Sequence, residues 1–97
     1  MSIRAMKLDL NSISIVDLES DLKSIEEALG GLPEVIRLKD GGVMLVNRNG
    51  MLKQSPHNDL ASYISERHIY GTALIVGMDF AGHFCEVPEQ YFTWLGN

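Results

Sequence analysis

His83 and Cys85 stand two residues apart, a spacing that on a β-strand turns both side chains to one face, as metal ligands or a thiol with its base require. Zinc takes three or four protein ligands, and no second half of such a set stands at a recognised spacing, because His57 and His68 are isolated along the chain. No metal and no cofactor is therefore expected, and Cys85 reads as a small buried apolar residue. The serines and threonines form no G-x-S-x-G elbow. A Cys-His pair would have to meet in a water-shielded cleft that a 97-residue chain seldom builds. Gly30-Gly31 and Gly41-Gly42 lack the spacing and the lysine of a phosphate loop and read as turns. Glu26 and Glu27 are adjacent, so on a helix they point about 100° apart and cannot converge on one reacting atom. The expectation is a protein that is not an enzyme.

The elements that would position any site follow from hydrophobic periodicity. Strands are expected over 3–8, 14–18, 72–78 and 84–87. Leu22, Ile25, Leu29 and Leu32 recur at helical spacing, which predicts an amphipathic helix over 20–29, capped by Ser20 or Asp17 and stopped by Gly30-Gly31. Asp59 is expected to cap a second helix carrying Leu60, Tyr63, Ile64 and Arg67, and Pro88 opens a last one over 88–95. Between the first two helices, runs 34–39, 42–48 and 51–55 are separated by Asp40-Gly41 and Asn49-Gly50, which predicts an antiparallel meander with two-residue turns. Nothing divides the chain, so residues 1–97 form one α+β domain: a mainly antiparallel sheet containing a three-stranded meander, with about three short helices.

With two-residue turns, Lys39 opposes Gly42 and Arg48 opposes Met51. One face then carries Glu34, Ile36, Leu38, Val43, Leu45, Asn47 and Leu52. The other carries Val35, Arg37, Lys39, Met44, Val46, Arg48, Met51 and Lys53, gathering four of the eight basic residues of a chain whose net charge is −5. Such a face is either a solvated sheet surface whose cations discourage edge pairing, or a shallow cationic site for an acidic partner or a phosphate. It holds no aromatic side chain for stacking, and the negative net charge opposes phosphate backbones, so nucleic acid is the weaker version. Asp17, Glu19, Asp21, Glu26 and Glu27 make an acidic lead-in and helix face, read as solvation. Asn47 and Asn58 read as local turn or cap devices. Tyr91 and Trp94 belong to an apolar last helix that either packs inward or anchors a partner or a homodimer.

A single cysteine, no secretory signal pattern and no apolar run near the ~20 residues of a membrane span point to a reducing cytosol and to no membrane partner. The order Leu29-Gly30-Gly31, Val43 to Gly50, Pro56-His57-Asn58 with Ala61, and Gly71 to Gly77 resembles domain of unknown function family 3846, over roughly residues 20–90. That resemblance implies a small protein of phages, plasmids and integrative elements. The expected function is a non-enzymatic protein-binding module, an inhibitor of a host defence system of the anti-CRISPR or antirestriction type, with Arg37, Lys39, Arg48 and Lys53 as its basic docking face and Tyr91 and Trp94 as a second contact. The alternative is a small-ligand or nucleic-acid binding domain that uses the same face.

Overall fold

Two continuous apolar runs, Val43–Val46 and Ala73–Val76, make the centre of the molecule, and all eight residues are buried. A strand with no polar alternation must be covered on both faces, and this one is. The computed structural model describes residues 2–51 and 53–95. Its elements are β1 (Ser2–Leu8), β2 (Ile13–Glu19), α1 (Leu22–Leu29), β3 (Pro33–Arg37), β4 (Val43–Asn47), α2 (Asp59–Ser65), β5 (Ala73–Met78), β6 (Phe84–Cys85) and a closing 3-10 helix, Glu89–Leu95. The strands join in one antiparallel sheet of order β2-β1-β5-β4-β3, with β6 on the far end of β5. The β3-β4-β5 stretch is a meander with α2 inserted before its last strand, so the α+β class and the meander both hold.

Helices lie on both sides. Ile25 and Leu29 of α1 pack with Ile3, Ala5, Leu18, Val43, Leu45, Leu74 and Val76. On the opposite face Met6, Leu8, Ile36, Leu38, Met44, Val46, Ala73 and Ile75 meet Ala61 of α2 and Tyr91 of the closing helix. At the β6 end the sheet splits: the Val87 amide donates to the Arg4 carbonyl (2.9 Å), and the Glu86 carboxylate accepts from the Arg4 backbone N–H (2.9 Å) and Nε (2.7 Å).

Three expectations need correction. The β3–β4 turn has three residues, not two, because Leu38 pairs with Gly42, Arg37 with Val43, and Gly41 takes φ +95° after a Leu38-to-Gly41 turn. A one-residue change of register turns half of the residues over. Met44 and Val46 therefore join Ile36 and Leu38 under α2 and the closing helix, while Val43 and Leu45 face α1. The run 51–55 is no strand in its described residues: the Asn47 side chain accepts from the Asn49 amide, and the chain coils through Lys53-to-Asn49 and Gln54-to-Met51 bonds. The place beside β4 is filled by β5 instead. Leu52, expected on the core face, lies outside the described residues. At the helix starts Asp21 and Asn58 hold the N-cap positions, one residue beyond Ser20 and one before Asp59.

Candidate functional site

The shared cationic face does not form. Arg37 lies on the α1 side of β3 and has no ion-pair partner among the described residues. Lys39 sits in the turn and pairs with Glu66 at 2.7 Å on the other side of the sheet, and that carboxylate raises its pKa. Arg48 follows β4, its amide donating to the Leu32 carbonyl (2.8 Å). Lys53 donates through Nζ to the Gly30 carbonyl (2.7 Å) just past the C-terminus of α1, where a cation complements the helix dipole. Covered faces and a shifted register have dispersed the four. Tyr91 is only 2% exposed, so it anchors the core and offers nothing to a partner. Its hydroxyl is buried without a well-formed hydrogen bond, and burial raises its pKa against the opposing pull of the Gly42 amide. Trp94 is half-buried, edge-on to the exposed Tyr63 at 6.0 Å.

What the structure does present is an open sheet edge. The Leu38 amide bonds to Gly42 and the Arg48 amide to Leu32, so by antiparallel parity the even-numbered residues of β3 spend their backbone groups on β4. The N–H and C=O of Val35 and Arg37 consequently point away from the sheet, at its outer edge. Beside them Val35 is 46% exposed. Arg37 shares an open cleft of about 530 Å3 with Val43, Met78 and the fully exposed ring of Phe80. Asp79 holds the turn that carries Phe80: its Oδ1 accepts from the Ala81 and His83 amides (2.9 Å each), which lower its pKa. The opposite edge, β2, carries Asp17 and Glu19 at its end.

A second cluster joins residues that sequence spacing left apart. Segments 56–58 and 69–71 run antiparallel, with Asn58-to-Ile69 and Gly71-to-Pro56 amide bonds (2.8 Å each) around a His57–Tyr70 bridge. His57 Nδ1 meets Asp59 Oδ1 at 2.7 Å, while its Nε2 lies 3.2 Å from Ser62 Oγ and 3.4 Å from His68 Nδ1. Asp59–His57–Ser62 has the order of a nucleophile with its base and orienting acid. Ser62 Oγ, however, accepts the Ile69 amide (2.8 Å), and the Asp59 side chain is 95% exposed, so the series fastens loop to helix and is not shielded from water. Next to it, Arg48, Arg67, His68 and Tyr70 line a cleft of about 170 Å3, where Arg67 faces Glu34 at 3.4 Å.

The two asparagines act as local devices. Asn58, buried, accepts the Ala61 amide as the α2 cap and donates to the Leu8 and Gly71 carbonyls. Asn47 presses so close to Gly31 that a β-carbon there would stand 2.8 Å from its Oδ1. His83 lies 3.7 Å from Asp79 and is exposed, and Cys85 is half-buried where a buried residue was expected. Among the described residues, no group of three or more His, Cys, Asp or Glu side chains is placed to hold a metal ion, and no helix is long and apolar enough to cross a membrane. Val35 and Arg37 share a strand face as the alternation predicts, whereas Phe80 and the His57 cluster carried no usable sequence signal, since tertiary pairing creates them.

No curated protein matches the chain. Among solved structures it is similar to one described as "Crystal structure of small RNA methyltransferase HEN1", with a TM-score of 0.70 at 18% identity, over 95% of this chain and 15% of that one. At that identity the likeness is one of fold, and the chain spans a small part of that protein's length. A family model described as "Domain of unknown function (DUF3846)" matches residues 3–96, and with nearly its whole length covered the chain belongs to that family.

Proposed function

We propose that the chain is a non-enzymatic protein-binding module that receives an extended strand of its partner along the open edge of β3. The observation that carries this reading is the outward backbone of Val35 and Arg37, set beside an exposed valine, an exposed phenylalanine and an arginine that has no ion-pair partner among the described residues. Strand addition draws affinity from such main-chain groups and specificity from alternate side chains. An aliphatic residue suits Val35 and Phe80, and an acidic residue two positions away suits Arg37. The setting we propose is stoichiometric inhibition of a host component, in the cytosol, by a small protein of a phage or mobile element.

Replacing Val35 by Pro removes an outward donor while leaving the β4 ladder intact, a substitution that edge strands tolerate. In affinity capture from host cells, Val35→Pro, Arg37→Glu and Phe80→Ala should each lose a partner that the wild type retains, with circular dichroism unchanged. Undiminished capture by all three folded variants contradicts the proposal. A small-anion reading is favoured by a different observation, the meeting of Arg48, Arg67 and His68 around Tyr70. It predicts phosphate-dependent shifts at those residues that Arg48→Glu abolishes.

A further inference from the structure

His68 lines a cleft with Glu34 and Ile36 of β3, on the sheet face opposite Val35 and Arg37, and the pair it makes with His57 uses no backbone group of that edge. Two imidazole nitrogens bound to a tetrahedral zinc ion at 2.0–2.1 Å stand about 3.3–3.4 Å from one another. His57 Nε2 and His68 Nδ1 are 3.4 Å apart, with ring centroids 5.5 Å apart and planes tilted by 54°. The other nitrogen of His57 is held by Asp59 Oδ1 at 2.7 Å. A carboxylate in that position fixes the Nδ1–H tautomer, so that Nε2 turns a lone pair toward His68.

We propose that His57 and His68 form a binding site for a divalent late first-row transition-metal ion, with zinc the best geometric fit. The backbone bridge between residues 57 and 70 sets the distance between the two rings before any ion arrives. Ser62 Oγ, 3.2 Å from His57 Nε2, is a neutral hydroxyl that already accepts the Ile69 amide, so it does not complete the ligand set. Both histidines are exposed, which leaves the remaining coordination positions to water or to a side chain of another molecule. The guanidinium of the neighbouring Arg67 is directed to Glu34 and so does not occupy the pair. Two protein ligands are fewer than zinc uses to hold a fold, so the ion exchanges freely and the folded chain exists without it. Without metal, the 3.4 Å contact is a hydrogen bond in which one imidazole donates and the other accepts.

The test is titration of the full chain with zinc alone near neutral pH, followed by calorimetry and by the imidazole NMR signals. The expected result is saturable binding of one ion per chain, reversed by a chelator, with shifts at His57 and His68. His68→Gln should weaken binding at least tenfold, and Asp59→Asn by roughly ten- to a hundredfold. His83→Gln, which changes the third histidine, should leave it unaltered. His68→Gln breaks no bond within the 56–58 and 69–71 pairing and keeps the test valid if His57→Gln unfolds. Absence of saturable binding, or undiminished binding by His68→Gln, overturns the proposal.

Discussion

Asn58 shows how much one side chain can fasten. It is buried and satisfies an amide of α2 and two carbonyls from β1 and the loop before β5. Asn58→Ala leaves those groups unpaired and should cost about 2–4 kcal/mol in urea unfolding. Asn58→Asp should be no better, although aspartate caps helices equally well, because a carboxylate cannot donate to the Leu8 and Gly71 carbonyls. Tyr91→Phe works in the opposite direction: it deletes a buried hydroxyl that lacks a well-formed bond, and stability should stay level or rise by up to ~1 kcal/mol. The local roles of Asn47 and Asn58 were legible, because asparagine beside a turn or before a helix has few other uses. The cluster at His57 was not. Its contacts to residues 59 and 62 are local, but the contact to His68 exists only because Tyr70 returns across His57.

At the scale of elements, most strands and helices were legible from period and turn residues, whereas the register between strands was not. Asp40-Gly41 announces a turn but does not fix its length. The third loop residue, Lys39, moved Met44 and Val46 from the expected outer face into the core. The unbroken runs Val43–Val46 and Ala73–Val76 were the available signal that helices cover both faces. The β1–β6 junction offers a test through Glu86. Its pKa is lowered, first by the hydrogen bond from the Arg4 side chain and then by the Arg4 amide. A lowered folded pKa stabilises above the ordinary carboxylate range and is lost as pH falls through the folded value. Glu86→Gln should therefore melt below the wild type at neutral pH, and the gap should close toward acid in melts across a pH series.

Over the described residues, the cations that pair do so one at a time, Lys39 with Glu66, Arg67 with Glu34, Arg4 with Glu86, and the rest are dispersed, so the net charge of −5 is not relieved by a basic field. Segregated charge was the most tempting whole-chain signal in the sequence, and it depended on the register that the turn changed. Docking through backbone groups, apolar contact and one arginine predicts that partner affinity falls only weakly with added salt. Nucleic-acid binding through several phosphates would fall by orders of magnitude over the same range. Amide hydrogen exchange resolved by residue tests the docking edge most directly. The Val35 and Arg37 amides should exchange rapidly in the free chain while Ile36 and Leu38 stay protected, and both should slow at least tenfold in the complex. Protection of Val35 and Arg37 equal to that of Ile36 before any partner is added, or no slowing once it is bound, would contradict the account.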